Sequence, residues 1–220
     1  SDKSSRAMIP LPTGSGKTRV VVESIIDWIN DGKPGQPEKR FIVWLVERKE
    51  LCQQAFDTFR TMFLSKGKRD TSLELLAFWG NKSKNLAKKL RENDDDGAEN
   101  AKTTIIIASR ASLSSIIDKN GKLPEEDQYL KKLVPKLAVV IIDEAHGWMS
   151  PTSTQVLHSL GFNFMSAARG GKPHPNDARL LGMTATPFKN IKLVDSSASN
   201  EANVKRVVKD ETEKLQSRFG

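Results

Sequence analysis

A short loop near the start of the chain constrains the fold more than any other feature of the sequence. The loop, Pro12–Thr18, reads Pro-Thr-Gly-Ser-Gly-Lys-Thr and stands between an apolar run, Ala7–Leu11, and a helical pattern, Lys17–Asn30. A tight turn of this kind exposes consecutive backbone N–H groups, and the positive end of the following helix points at the same place. The pattern therefore predicts a strand–loop–helix unit that cradles phosphate groups.

The residue types in this loop suit the parts of a nucleoside triphosphate. Gly14 and Gly16 permit the turn, Lys17 is expected to contact the β- and γ-phosphates, and the Thr18 hydroxyl is expected to ligate Mg²⁺. The strict phosphate-loop pattern, G-x-x-x-x-G-K-[ST], has glycine where this chain has Leu11. The flanking strand and helix therefore distinguish this loop from a chance turn rich in glycine and serine. The predicted phosphate-binding set is Thr13, Gly14, Ser15, Gly16, Lys17 and Thr18.

A carboxylate pair far downstream belongs to the same predicted site. Asp143 and Glu144 directly follow the apolar run Leu137–Ile142. An aspartate at the carboxyl end of a buried parallel strand lies where nucleotide sites form in open α/β sheets. Asp143 is therefore predicted to hold Mg²⁺, directly or through water, and Glu144 to orient and deprotonate the attacking water. The alternative is a strand end that simply meets solvent, and the phosphate loop in the same chain argues against it.

A third element follows another short apolar run. The segment Thr184-Ala185-Thr186 comes after Arg179–Met183. Small hydroxyl residues after a strand often only cap or turn the chain. The functional interpretation is that Thr184 and Thr186 hydrogen-bond His146 and relay the state of the nucleotide.

Apolar runs alternate with helical patterns along the whole chain. Several of these runs are continuous stretches of Val, Ile and Leu, which is typical of strands buried on both faces. The alternation predicts an α/β fold with a mostly parallel sheet flanked by helices on both faces. The predicted strands are Ala7–Leu11, Phe41–Val46, Leu73–Phe78, Thr104–Ala108, Leu137–Ile142 and Arg179–Met183. The predicted helices are Lys17–Asn30, Lys49–Leu64, Ser83–Arg91, Ser112–Asp118, Glu125–Leu133 and Thr152–Ala167.

Composition narrows the class of protein. The 220 residues are 37% hydrophobic and 28% charged, and no apolar run approaches the roughly 20 residues that span a bilayer, which argues against a membrane protein. The single cysteine, Cys52, excludes an internal disulfide framework, favours a reducing compartment and is interpreted as a helix packing residue. The net charge of +8 suits a polyanionic partner, although scattered basic residues also fit an ordinary solvated surface.

Together these motifs resemble those of the first RecA-like lobe of superfamily 2 helicases and translocases. Pro12–Thr18 is similar to motif I, Asp143–His146 to motif II in its DEAH spelling, and Thr184–Thr186 to motif III. Two weaker matches lie between them: Val46–Gln54 resembles motif Ia, and Ala108–Leu113 resembles motif Ib. The alternative for the first of these is an ordinary strand-to-helix junction.

The resemblance implies a RecA-like P-loop NTPase that binds ATP and Mg²⁺ and couples hydrolysis to movement on nucleic acid. It implies catalytic roles for Lys17, Asp143, Glu144 and His146. It implies Mg²⁺ ligation by Thr18 and Asp143, and coupling through His146, Thr184 and Thr186. It also implies contacts with the nucleic-acid backbone from Arg48, Ser109 and Arg110.

The resemblance also suggests a domain organisation. Residues 1–190 are predicted to form the lobe, and residues 191–220 a polar, partly helical segment that leads toward a second RecA-like lobe. Nothing after Phe188 resembles motifs IV to VI, which in the family carry an arginine finger that contributes about 10³–10⁵ in rate. Without that arginine, the chain alone is expected to bind nucleotide and hydrolyse it poorly. The chain also begins at Ser1 rather than Met, so we interpret it as a fragment or processed form of a longer protein.

The spellings of motifs I and III resemble the restriction-enzyme and DNA-repair translocase branch. That branch favours double-stranded DNA and a bacterial cytoplasm, whereas sensor helicases for double-stranded RNA share similar spellings and a eukaryotic source would allow a nuclear location. One alternative is a non-motor nucleotide- or nucleic-acid-binding module with little turnover, but such a module does not need the water-activating carboxylate of Glu144. Another is a different P-loop enzyme such as a kinase, which the downstream carboxylate pair and Thr-Ala-Thr segment disfavour.

Overall fold

The computed structural model describes residues 6–12, 14–31, 41–80, 102–115, 133–162 and 178–185. In this part of the chain the strands are β1 (Arg6–Pro10), β2 (Phe41–Val46), β3 (Leu73–Phe78), β4 (Thr103–Ser109), β5 (Leu137–Ile142) and β6 (Arg179–Thr184). The α-helices are α1 (Lys17–Asn30), α2 (Lys49–Lys66), α3 (Arg110–Ser115) and α4 (Pro151–Ser159). Two 3₁₀-helices, η1 (Val134–Lys136) and η2 (Ala145–Met149), flank β5.

The strands form one sheet in the order β1-β6-β5-β2-β4-β3, and every neighbouring pair is parallel. All carboxyl ends therefore lie along one edge, where the loops after the strands meet. Because β6 lies between β1 and β5, the end of β6 separates the phosphate loop from the carboxylate pair. The register places Pro10 opposite Thr184 and Gly182 opposite Ile142. The strand order and the parallel register thus bring the three predicted motifs to neighbouring positions.

Helices cover both faces of the sheet, and each face has its own apolar core. On one face, α1 and α2 pack against the strands with buried residues that include Ile26 and Phe59. On the other face the core contains Leu113 of α3, Trp148 of η2 and Leu157 of α4. Every residue of β2 and β4 is buried, which explains the unbroken apolar run of β2 and the apolar centre, Ile105–Ala108, of β4. Full burial of one large apolar side chain contributes about 1.5–3 kcal/mol to stability.

The predicted fold class is confirmed, and most strand boundaries are confirmed with it. The bounds of β2, β3 and β5 are those predicted, β1 and β4 differ by one residue at each end, and β6 runs one residue further. Helix α1 has the predicted bounds, α2 runs two residues further, and α3 begins two residues earlier. The predicted helix at 83–91, and residues 116–118 and 125–132 of two others, lie outside the described residues. None of the described helices is long and apolar enough to cross a bilayer.

The prediction for the helix after the carboxylate pair is wrong at its end. We predict Thr152–Ala167 from the sequence, but α4 ends at Ser159. Gly161 adopts a φ of 90° and donates its N–H to the His158 carbonyl, while Phe162 donates to the Leu157 carbonyl, both at 2.9 Å. These two bonds are those of a Schellman C-cap, which glycine accommodates without steric cost. The helical pattern continues past this glycine in sequence, and that continuation hides the stop signal.

The single cysteine has the predicted packing role. Cys52 is fully buried on α2 and lies in the same core as Phe59. Burial, with a smaller contribution from the negative charge of Glu50, raises the pKa of the Cys52 thiol to about 12. The thiol therefore stays protonated at physiological pH and acts as a small apolar side chain.

Candidate nucleotide-binding site

Two glycines of the predicted phosphate loop adopt a left-handed backbone conformation. Gly14 and Gly16 both adopt a φ of 78°, and Gly16 is the N-cap of α1. A Cβ built on either glycine would meet no atom of the described residues within 4 Å beyond its chain neighbours, so crowding does not require glycine here. These positions therefore need glycine for the left-handed backbone, which costs other residues about 1–2 kcal/mol.

Leu11 fills the place of the first glycine in the strict pattern without strain. Among the described non-glycine residues, only Glu144 has a positive φ, so the backbone at Leu11 does not require glycine. The Leu11 N–H donates to the carbonyl of Thr184 at 3.0 Å and thereby extends the pairing of β1 with β6. Its carbonyl accepts a hydrogen bond from Lys17 Nζ at 3.3 Å. The substitution thus leaves the loop geometry intact.

Lys17 joins the phosphate loop to the carboxylate pair. Its side chain is only 8% exposed, and Nζ lies 3.8 Å from Glu144 Oε1. A buried ammonium needs partners, and here the carboxylate and the Leu11 carbonyl supply them. Thr18 follows on the first turn of α1 and is half-buried, whereas Ser15 is exposed in the loop. Thr13 lies outside the described residues.

Asp143 is buried directly after β5 in a position that suits a divalent cation. Its N–H donates to the Leu45 carbonyl at 2.9 Å, and its Oδ1 accepts from the Glu144 N–H at 3.0 Å. Burial and the neighbouring charge of Glu144 raise the pKa of Asp143, while that hydrogen bond and Lys17 act in the opposite direction. The ionised carboxylate is therefore incompletely compensated, and a bound cation would relieve this.

The donor atoms fit Mg²⁺ bound together with a nucleotide. Within the described ranges no group of three or more His, Cys, Asp or Glu side chains is placed to hold a metal. Asp143 and the Thr18 hydroxyl would hold the ion, with phosphate oxygens and water as the other ligands. Mg²⁺ characteristically keeps several waters and is held by one or two carboxylates plus substrate phosphates.

The raised pKa of Asp143 predicts that removing the charge of this carboxylate stabilises the folded chain. Above the raised pKa the folded chain contains an ionised, buried carboxylate that the unfolded chain keeps in water, so ionisation costs folding free energy. We expect Asp143→Asn to raise the Tm of the metal-free chain at pH 7. The difference from wild type should disappear as the pH falls from the raised pKa toward the usual value of 3.8.

Thermal unfolding between pH 3 and pH 8 measures this difference. Asp27→Asn serves as the control because Asp27 is exposed on α1. A lower Tm for Asp143→Asn at pH 7, or a Tm difference that does not change with pH, would contradict the electrostatic account of Asp143.

Glu144 has a strained backbone and lies between two partners. Its φ of 52° and ψ of 53° are left-handed, a conformation that costs a residue with a Cβ about 1–2 kcal/mol. Its Oε1 faces Lys17, and its Oε2 lies 3.4 Å from His146 Nδ1. The strained turn therefore directs the carboxylate toward the phosphate loop.

The structure contains the predicted hydrogen bond between His146 and Thr184. His146 Nδ1 lies 3.0 Å from Thr184 Oγ1, and Thr184 is fully buried at the end of β6. This contact joins the segment after β5 to the strand that separates it from the phosphate loop. A relay of the nucleotide state through this contact stays a prediction, and Thr186 lies outside the described residues.

The three predicted nucleic-acid contacts lie at the ends of β2 and β4 and differ in exposure. Arg48 is exposed at the N-cap of α2. Ser109 is 5% exposed, and its hydroxyl caps α3 by accepting the Ser112 N–H at 3.2 Å. Arg110 is 29% exposed, and its guanidinium bonds Glu47 at 3.0 Å. The contacts stay predictions, and Arg48 presents the most accessible side chain for one.

Sequence reasoning misses the contact between Glu47 and Arg110. Glu47 directly follows β2, just as Asp143 directly follows β5, and the two strands are neighbours in the sheet. The sequence signal for Glu47 is a carboxylate directly after a buried strand, which is the same signal that singles out Asp143.

Comparison with known proteins shows the family. The sequence profile described as "Type III restriction enzyme, res subunit" matches residues 1–189. The chain belongs to this family. The match supports a helicase-type ATP-binding lobe with a RecA-like fold, and it agrees with the predicted restriction-enzyme branch. No curated protein sequence matches the chain.

One solved structure supports the fold of this res-subunit family member. A nuclease-deletion mutant of the Type ISP restriction-modification enzyme LlaGI, in complex with a DNA substrate mimic, superposes with a TM-score of 0.51 at 18% identity. The alignment covers 90% of this chain and 17% of the LlaGI chain, so the chain spans about a sixth of that protein's length. Two structures of S. cerevisiae Dbp5 bound to RNA and ADP BeF3 align at 16% identity over 92% of this chain and 40% of theirs, with TM-scores of 0.46 and 0.45.

Proposed function

We propose that the chain is the ATP-binding motor lobe of a nucleic-acid translocase or helicase, with double-stranded DNA as its favoured track. Such a motor would serve a restriction, repair or defence system. The observation that supports this best is one continuous line of contacts through three loops. Lys17 Nζ lies 3.8 Å from Glu144, Glu144 lies 3.4 Å from His146, and His146 lies 3.0 Å from Thr184.

The same line of contacts suggests how the residues divide the chemistry. ATP is held by the backbone N–H groups of the phosphate loop and by Lys17, which offsets the negative charge of its phosphates. Mg²⁺, held by Thr18 and Asp143, supplies further charge neutralisation when it is bound. Glu144 accepts a proton from water as the water oxygen bonds to the γ-phosphorus and the bond to the ADP oxygen breaks.

Hydrolysis would be coupled to movement through His146. The Glu144 carboxylate contacts His146, and His146 contacts buried Thr184. Loss of the γ-phosphate changes the charge that Lys17 and Glu144 face, and the His146–Thr184 contact can transmit that change to β6. A second RecA-like lobe would supply the arginine that stabilises the transferred phosphoryl group. Its closure and opening would shift the grip on the nucleic-acid backbone.

Arg48 is the residue that we expect to contribute most directly to nucleic-acid binding. Replacing an arginine that contacts one phosphate lowers the slope of log K against log salt by about 1. We therefore expect Arg48→Ala to weaken binding of a 30-base-pair duplex and to reduce that slope by about one. The Arg48→Ala, Arg110→Ala double variant should reduce it further if both predicted contacts form.

Fluorescence anisotropy at a series of salt concentrations measures these slopes. Arg69→Ala serves as the control because Arg69 is exposed in the turn before β3, at the opposite edge of the sheet. If the double variant bound both DNA and RNA with the salt dependence of the wild type, these contacts would be disproved.

Turnover in the protein that joins this lobe to its second lobe tests the motor assignment itself. We expect duplex DNA to stimulate its ATP hydrolysis, and we expect Glu144→Gln to remove the stimulated rate. Hydrolysis that neither nucleic acid stimulates, with ATP still bound, would favour a nucleotide-binding module without motor activity.

A further inference from the structure

A polar cluster lies beside the nucleotide site at the carboxyl ends of β2, β4 and β5. It consists of Glu47 after β2, Arg110 at the start of α3, and Gly147, Ser150 and Ser153 after β5. None of these residues is needed to hold phosphate or Mg²⁺. The cluster connects three loops that follow three adjacent strands of the sheet.

Arg110 holds the cluster together. Its Nη2 donates to Glu47 Oε1 at 3.0 Å. Its Nη1 is directed at three oxygens of the segment after β5, namely Ser153 Oγ at 3.3 Å, the Gly147 carbonyl at 3.4 Å and Ser150 Oγ at 3.5 Å. A planar guanidinium with several fixed N–H donors suits such a bridge, whereas a lysine ammonium would not reproduce it.

Gly147 shows how closely the cluster is packed. Among the described glycines, those with a positive φ are Gly14, Gly16, Gly80 and Gly161, so Gly147 does not owe its identity to a left-handed backbone. A Cβ built at Gly147 would instead lie 2.6 Å from Glu47 Oε2, so the end of the flexible Glu47 side chain would have to move away. Glycine therefore allows the Glu47 carboxylate to reach the backbone of η2.

The same glycine connects the cluster to Glu144. The Gly147 N–H donates to the Glu144 carbonyl at 2.9 Å, and Glu144 holds the only positive φ among the described non-glycine residues. A strained backbone conformation persists only where its surroundings fix it. His146 and Thr184 fix this turn from one side, and the cluster fixes it from the other.

We propose that Glu47 and Arg110 form a clamp that positions Glu144. The clamp holds Gly147, and through Gly147 it keeps the Glu144 carboxylate beside Lys17. The proposal rests on the function proposed above, because its kinetic consequence is a change in ATP turnover. It is compatible with a nucleic-acid contact by Arg110, whose guanidinium is still partly exposed.

Steady-state ATP hydrolysis by the protein that joins this lobe to its second lobe tests the clamp. We expect Glu47→Ala and Gly147→Ala each to lower kcat about tenfold to a hundredfold, because a small misplacement of a catalytic group has effects of that size. KM for ATP should change by less than about twofold, since the phosphate loop and Lys17 are untouched. Because a loss of folded protein would also lower kcat at unchanged KM, each kcat is calculated per ATP-binding site measured on the same preparation.

The decisive variant combines the two substitutions. In Glu47→Ala the atom that the new Cβ would strike is gone, so adding Gly147→Ala should cause no further loss of kcat. Gly67→Ala provides a steric control outside the cluster, because a Cβ there would lie 2.6 Å from the Phe63 backbone carbonyl at the end of α2. The effects of Gly67→Ala and Glu47→Ala should be additive.

Hydrogen exchange in this chain supplies a readout that does not depend on ATP turnover. We expect the Gly147 amide to exchange at least about tenfold faster in Arg110→Ala and Glu47→Ala, with the Val156 amide of α4 as the internal reference. Additive losses of kcat in the Glu47→Ala, Gly147→Ala double variant, or unchanged exchange at Gly147, would overturn the clamp. A wild-type protein that hydrolyses no ATP would contradict the proposed function instead, and the exchange measurement would still decide the clamp.

Discussion

Replacing Lys17 with alanine is expected to weaken Mg²⁺–ATP binding by roughly 30- to 5,000-fold, because truncating one partner of a buried charge pair costs about 2–5 kcal/mol. Lys17 is 8% exposed, and its ammonium faces both the phosphate loop and Glu144. Its loss removes the cation that the phosphates require. The substitution also leaves Asp143 and Glu144 less compensated, which adds repulsion against an incoming triphosphate.

Two further variants make this prediction specific. Lys17→Met keeps the length and apolar stem of the side chain, so it should bind as weakly as Lys17→Ala if charge is the cause. Lys102→Ala is the control, because Lys102 is exposed before the first residue of β4, at the opposite edge of the sheet. Isothermal titration calorimetry with a non-hydrolysable ATP analogue measures the dissociation constants of all three variants. Tight binding by Lys17→Met would refute an electrostatic role for Lys17.

Replacing Glu144 with glutamine is expected to separate binding from turnover. Glutamine has the same shape and keeps the contact with His146, but it cannot accept a proton from water. Loss of a general base typically lowers the rate about 10²–10⁴-fold. The Kd for Mg²⁺–ATP should stay equal to or below that of the wild type, because the substitution removes a negative charge beside the phosphates.

Single-turnover hydrolysis and equilibrium binding measured on the same preparation test this separation. Glu50→Gln is the matched control, since Glu50 is an exposed glutamate on the first turn of α2. A Glu144→Gln protein that hydrolyses ATP at the wild-type rate would rule out the role that we assign to Glu144.

The sequence predicts those parts of the fold that depend on local composition. Strand β2 is buried along its whole length and reads as an unbroken apolar run, so its bounds follow directly from the pattern. Helix α1 begins at Lys17 because the glycine loop ends there. The end of α4 is harder to predict, because the helical sequence pattern continues past Gly161 although the backbone turns there.

In the candidate site as well, residues of contiguous motifs can be predicted from the sequence, whereas contacts that depend on strand order cannot. Lys17, Asp143 and Glu144 belong to contiguous motifs, and their meeting in space follows from the parallel strands that precede them. The pairing of Glu47 with Arg110 depends on β2 and β4 being neighbours, and no residue in either segment encodes that order. The left-handed backbone of Glu144 is likewise set by tertiary contacts, because glutamate has no local preference for it.

We propose that Lys17, Thr18 and Asp143 form a Mg²⁺-dependent ATP site. Equilibrium binding of ATP to this chain tests that site most directly. We predict one ATP bound per chain in the presence of Mg²⁺, with the affinity lowered by Lys17→Ala and by removal of Mg²⁺ with EDTA. Absence of binding by the folded wild-type chain, or equal binding by Lys17→Ala, would contradict the account.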